Sequence, residues 1–338
     1  VLVSALVLGA LAVALAWPVP VVLARAAWPS RSPGVALVLW HAIALAGGVS
    51  MIGSLLCYGL SPLGRDIAAG LAMLQTSLRA GTLGPGMDFP HVLALCGALL
   101  LGTHLLLNLC ATFFRAERQR RRHLHLITLL SDPLPDRPGM RVIDYEAPVA
   151  YCLPGSARSA TVLSNGLLRL LSADQLRGVI EHEQAHLRQR HHLVLLAFKS
   201  WHSALPWFPI ANRAENAVAL LVEMLADDRA RRVVDDRTLA TAIALVGLGQ
   251  QADVMATEAG VAVASRAVAG MASGAASGLE FGPASAEPLF SSREQTLVAP
   301  RVQRLMTARV ALSRSATVAA LMTAIALVIT PAAVLLAA

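Results

Sequence analysis

Val179-Ile180-Glu181-His182-Glu183-Gln184-Ala185-His186-Leu187 contains the pattern His-Glu-x-x-His. On a helix, residues four apart share a face, so His182 and His186 can point both imidazoles at one Zn²⁺. Glu183 stands beside them as a general base for water at that metal. The helix has its own start signal. Ser172 as N-cap with Gln175 three positions on reads as a capping box. Leu176, Val179 and Ile180 then recur at helical spacing. Arg188 and Arg190 come late, where cations suit the negative end of the helix dipole.

A catalytic zinc site takes three protein ligands and keeps one position open. Downstream, Glu215–Val234 predicts a second helix containing Glu223-Met224-Leu225-Ala226-Asp227. Glu223 is placed to supply a carboxylate from that helix. Asp227, one turn on, is placed to accept a hydrogen bond from a ligand histidine and set its tautomer. The competing reading is an ordinary solvated face shared with Arg229, Arg231 and Arg232. Between the two helices, Leu193–Leu205 is apolar but interrupted by Lys199 and His202. It is too short for a span and reads as an amphipathic helix at the membrane surface. Upstream, residues 141–145, 147–153 and 160–164 are β-rich, with turns at Pro154-Gly155 and Asn165-Gly166. The strand just before the zinc helix is expected as an exposed edge that could hold an extended peptide. A sheet that merely scaffolds the helix is the alternative.

The 338 residues are 56% hydrophobic and 14% charged, far below the roughly 25% charged of soluble domains. Four segments are long and apolar enough to span a bilayer: Val1–Leu23, Val35–Leu60, His91–Phe114 and Ala316–Ala338. The net charge is +7. Its arginines flank the apolar segments and aromatics are only 4%, so the charge reads as a membrane-orientation signal, with no direct nucleic-acid partner. Arg25 and Arg31 follow the first span, and Arg115, Arg118, Arg120, Arg121 and Arg122 follow the third. Arg301, Arg304, Arg309 and Arg314 precede the fourth. Placing all three clusters in the cytoplasm puts both termini outside. The regions are then 1–114 with three spans, 115–315 as a cytoplasmic domain holding the zinc motif, and 316–338 as the fourth span. Residues 61–90 become an external loop, and no cleavable signal peptide is apparent. His41, His104 and Asn108 are polar residues within spans, read as interhelical hydrogen-bonding groups or functional ones. The four cysteines read as small buried hydrophobes. Val254–Leu289 is rich in Ala, Gly and Ser and reads as a linker, a loose helix or a loop near the membrane.

The order of these features resembles a group of membrane zinc peptidases, the β-lactam sensor-transducers or antirepressor proteases of the bla and mec systems. The resemblance is carried by three spans, a basic stop, Ala150-Tyr151-Cys152-Leu153-Pro154-Gly155, Ser164-Asn165-Gly166-Leu167-Leu168, the zinc motif, Glu223-x-x-Ala226-Asp227 and a last span. The Glu-x-x-Ala-Asp element is also similar to that of HtpX-type and CAAX prenyl proteases. The resemblance implies His182, His186 and Glu223 as zinc ligands, Glu183 as catalytic base and Asp227 as the partner of a ligand histidine. Two features depart from the antirepressors: Ala226 stands where they carry Cys, and their external penicillin-binding domain has no counterpart. The implied fold is a mainly α membrane protein, with four transmembrane helices and a cytoplasmic α+β gluzincin-type domain with a small sheet. The implied activity is zinc-dependent endoproteolysis in a bacterial cell membrane, of a protein substrate such as a transcriptional repressor or of the protease itself. Membrane-protein quality control and an inactive scaffold or transducer are the alternatives. Self-association through the spans is a generic expectation. His191, His192, His202 and Arg229 are the candidates for stabilising an oxyanion.

Overall fold

The computed structural model describes residues 1–134, 139–154, 159–206, 209–252, 292–307 and 311–338. The turn residue Gly155 and the stretch Val254–Leu289 lie outside them. The chain divides into two compact units. The first comprises Val1–Arg118, His191–Val222 and Arg309–Ala338. The second comprises Gln119–Arg190 and Glu223–Ala308.

The first unit is helical. Helices α1 (Leu2–Ala16) and α2 (Pro18–Arg25) form one apolar run, broken at Trp17 where Pro18 follows. Helix α3 is Pro33–Leu60, and α5 (Phe89–Leu130) begins in this unit. Helix α12 is Arg314–Leu336. With α1 and α2 taken together, these are four helices long and apolar enough to cross a membrane. Leu99, Leu100, Leu106, Leu107 and Phe114 of α5 are exposed, an apolar face that water would not favour. Residues 61–90 also hold a helix, α4 (Ile67–Ala80). Asp66 caps it by accepting from the Ala69 N–H at 2.7 Å, and Gly81 ends it in the left-handed region. Helix α8 (His191–Ala204) and the first part of α9 (Pro209–Ala230) belong to this unit. Phe198, Ala214, Val218, Leu221 and Val222 join Leu15, Trp40, Ile43 and Ala46 in one buried cluster. Of the cysteines, Cys57 is buried, Cys152 half-buried and Cys96 and Cys110 exposed, so burial holds for fewer of them than expected.

The second unit is α+β. Strands β1 (Ser131–Pro133), β2 (Met140–Ile143), β3 (Ala150–Leu153) and β4 (Ala160–Ser164) form a mixed sheet in the order β1-β2-β4-β3. β2 pairs with β4 in parallel and the other pairs are antiparallel. The strand just before the zinc helix is therefore interior, because it carries hydrogen bonds on both sides. The edge beside that helix is β3, not β4. Helices α6 (Asn165–Leu170) and α7 (Ala173–Arg188) follow. The α7 capping box forms as expected, with Ser172 N–H donating to Gln175 Oε1 at 2.9 Å and Gln175 N–H to Ser172 Oγ at 3.4 Å. The second predicted helix starts earlier and ends earlier than expected, at Ala230. Helix α10 (residues 236–252) packs Ala242 against Leu163, Leu167 and Ile180, and its Leu239 and Ile243 meet Leu305 of α11 (Ser292–Met306). Gly178 is where α7 passes Val234, since a Cβ there would lie 3.0 Å from its Cγ2.

Ser164 joins sheet to helix. Its buried hydroxyl donates to Ala147 C=O at 2.6 Å and accepts from the N–H groups of Val149 and Leu167 at 2.9 and 3.1 Å. Removing it strands two buried backbone donors and the N-cap of α6. Ser164→Ala is expected to destabilise the second unit by about 2 kcal/mol. Thermal unfolding of the full chain, followed by far-UV circular dichroism, checks this.

Candidate metal centre

The capped start of α7 sets its rotation about the core. Ile180 and Ala185 are buried, while His182 and His186 emerge together on one face. Their Nε2 atoms lie 3.2 Å apart. From α9, Glu223 places Oε2 3.3 Å from His182 Nε2 and Oε1 3.5 Å from His186 Nε2. Zinc bonded at about 2.05 Å to a tetrahedral donor set keeps those donors about 3.3 Å apart. The spacing of the two Nε2 atoms is close to that value, and the Glu223 carboxylate meets each of them through a different oxygen at a similar distance. His182, His186 and Glu223 thus form a candidate metal site, with ligand atoms gathered as a cation requires.

The surrounding groups orient the ligands. Asp227 is 1% exposed and its Oδ1 lies 3.0 Å from His182 Nδ1. Nδ1 therefore donates to the carboxylate, and the Nε2 lone pair is left for a metal. The other partner of Asp227 is Arg301 of α11. Its Nε and Nη2 reach the two carboxylate oxygens at 2.9 and 2.7 Å, a bidentate fork, and Nη1 lies 3.0 Å from Glu223 Oε2. One turn on, Arg304 binds Asp228 at 2.8 Å and the Met224 carbonyl. Two arginines on one face of α11 thus clamp the segment of α9 that carries the ligand.

The electrostatics follow. Burial and the Arg301 charge push the His182 pKa down, but hydrogen bonds to Asp227 and Glu223 outweigh them and lift it to about 9. Burial raises both carboxyls, yet the Arg301 guanidinium overcomes it and holds Glu223 well below its usual range and Asp227 at about 2. Glu183 is half-buried, and its charge helps raise the Arg301 pKa. Three carboxylates thus face one guanidinium and two imidazoles, a balance that a divalent cation completes.

The edge strand adjoins the same helix. Cys152 of β3 places its Sγ 3.0 Å from the Glu183 carbonyl. Burial, with the Glu183 charge, pushes that thiol far above its usual pKa, so it is an unreactive SH group. Tyr151 is held up at about 12 by burial, and its ring meets His123 edge-on at 5.7 Å.

Of the four oxyanion candidates, His191, His192 and His202 belong to the first unit. Arg229 is half-buried on α9 and makes none of the described bonds linking the cluster. The cation beside the ligands is Arg301, which the sequence reading counted among the arginines preceding the last span. Arg304 was counted with it and also binds α9. The signal available in sequence was the Glu223, Asp227 and Asp228 group, which cannot be buried without cations. Nothing in the sequence indicates that the cations come from 74 residues away.

Residues 115–277 match the profile of peptidase family M48. The match supports a metallopeptidase, from a family that depends on a metal, typically zinc. Comparison with curated proteins and with solved structures returns no match.

Two outcomes follow from the geometry. Arg301→Met leaves Asp227 buried without its counter-charge, which costs about 3–5 kcal/mol. In thermal unfolding of the metal-free protein, the Arg301→Met/Asp227→Asn double variant should recover part of that loss. Zinc must also displace the proton that His182 carries below about pH 9. Zinc affinity should therefore fall about tenfold per pH unit on going below that value, and titration against a chromophoric chelator at several pH values reads it directly.

Proposed function

We propose that this protein is an integral membrane zinc endopeptidase of the gluzincin type, acting on cytoplasmic or membrane-proximal protein substrates. The observation that carries this reading is the gathering of His182, His186 and Glu223, with the two Nε2 atoms 3.2 Å apart and the Glu223 oxygens Oε2 and Oε1 at 3.3 and 3.5 Å from them. A structural zinc site is closed by four protein ligands, whereas the three gathered among the described residues leave a position for chemistry. A zinc ion held there supplies Lewis acidity to a peptide carbonyl and to water.

The remaining roles belong to the chain. Glu183 takes a proton from the attacking water and delivers it to the leaving amine nitrogen. Asp227 keeps His182 in the tautomer that binds metal. Arg301 neutralises Asp227 and steadies Glu223. As the edge strand, β3 is where an extended substrate segment would add to the sheet as a further strand. In this reading the four apolar helices span a bacterial cell membrane, with both termini outside and the protease in the cytoplasm.

Regulated cleavage of a transcriptional repressor, or of the protease itself, is the role that the antirepressor resemblance favours. Membrane-protein quality control is favoured instead by the Glu-x-x-Ala-Asp element at 223–227, similar to that of HtpX-type and CAAX prenyl proteases and inside the matched region. In membranes holding the full-length protein, Glu183→Gln should reduce peptide-bond cleavage by at least about 10²-fold while bound zinc stays equimolar. Equal cleavage by both proteins would remove the peptidase reading.

A further inference from the structure

We infer that residues 191–206 and 209–222 are the two limbs of a re-entrant hairpin, a fifth membrane-embedded element whose first limb enters the bilayer to about its middle and whose second returns. The inference depends on the reading of α1–α2, α3, α5 and α12 as spans. Two of those helices place the tip of α8 independently. Along α3, Phe198 meets His41 edge-on with ring centroids 5.0 Å apart. The Trp201 ring lies over Gly48, where a Cβ would come within 3.1 Å. Gly48 is about 22 Å along α3 from Pro33 at 1.5 Å per residue. Along α5, which runs the other way, Asn108 Nδ2 donates to the Ser200 carbonyl at 2.7 Å and His104 Nε2 to the Ala204 carbonyl at 3.1 Å. His104 lies about 15 Å inside Phe114, half of a 30 Å hydrocarbon layer. Both helices give the same direction, with α8 running inward from the arginine-rich side, and both contacts fall in the middle part of the helix that makes them, Gly48 near the centre of α3 and His104 within α5.

The chemistry of the contacts explains why it can end there. The last carbonyls of a helix have no partner within it, and in hydrocarbon each unsatisfied one costs several kcal/mol. His104 and Asn108, four apart on one face of α5, provide donors to the last turn of α8. Asn108 also reaches Ser203 Oγ at 2.9 Å. Two of the polar span residues noted in sequence, His104 and Asn108, are thus donors to the end of a helix that stops inside the bilayer, while His41 bonds the Leu37 carbonyl of its own helix. Helix α8 has 14 residues, about 21 Å, too short to cross and long enough to reach the middle. The returning limb, residues 209–222, has the same length. Across the hairpin, His202 Nδ1 and Glu215 Oε2 lie 4.0 Å apart, so these two ionisable groups face each other, while Lys199 and Arg213 are exposed.

The test uses the full-length protein in phosphatidylcholine–phosphatidylglycerol vesicles, its native cysteines replaced by alanine. A nitroxide is placed on cysteine at Pro206, Leu193, Leu83 or Met322, with Ser203→Cys as a second probe of the tip. All five positions are exposed on the protein. Accessibility to oxygen and to a water-soluble nickel chelate is then compared. The expected result is an oxygen-to-nickel ratio at Pro206 and Ser203 several-fold above that at Leu83, approaching that at Met322 in the middle of α12. Leu193, at the base, should fall between. The His104→Leu/Asn108→Leu variant should move the tip values toward that of Leu193. Tip values equal to Leu83, with Met322 still lipid-like, would overturn the hairpin alone. A water-like ratio at Met322 itself would overturn the span reading, and the hairpin with it.

Discussion

Asp227 is a carboxylate with 1% of its surface exposed, and the arrangement of the second unit answers its charge. Two groups share it: the Nδ1–H of His182 and the fork of Arg301. The first contact sets a ligand tautomer. The second draws α11 onto α9, where Arg304 and Asp228 add another tie. Because Arg301 also touches Glu223, one guanidinium spans the candidate ligand on α9 and the carboxylate that bonds His182. A buried ion pair of this kind contributes little net stability but is costly to break, so it acts chiefly by excluding other arrangements.

The first unit solves a different problem. Its helices expose apolar faces and, in the proposed reading as membrane spans, must leave no backbone group unsatisfied at membrane depth. The His104 and Asn108 contacts meet that need for α8. The chain passes from His186 through this helical segment before it reaches Glu223, so the ligands from α7 and α9 are joined through residues that pack with the apolar helices.

Much of the site was legible because helical periodicity is local. His182 and His186 are one turn apart, the capping box lies within four residues, and Glu223 and Asp227 repeat the same spacing. The sheet was less legible. β4 was legible with its true bounds but was expected at an edge and lies inside the sheet, since strand order depends on pairings that no single strand encodes. β1 is three residues long and contains Pro133, so period-two alternation had no room to appear. Arg301 and Arg304 were visible only as charge, and charge near an apolar segment reads equally well as topology or as an ion pair.

What the sequence determined by itself was the set of local elements: four apolar helices long enough for a bilayer, a capped helix with two histidines on one face, and a carboxylate pair on a second helix. Composition and spacing suffice for these because each is decided within a few turns of chain. Only the tertiary structure decided that β3 is the edge beside the helix of His182 and His186, that Arg301 compensates Asp227, and that His104 and Asn108 donate to carbonyls at the end of α8. Each of these joins groups from ten to a hundred residues apart, and the reason is the same in every case. A buried charge, an open sheet edge or an unpaired carbonyl can be satisfied by any suitable partner, and packing alone selects which one.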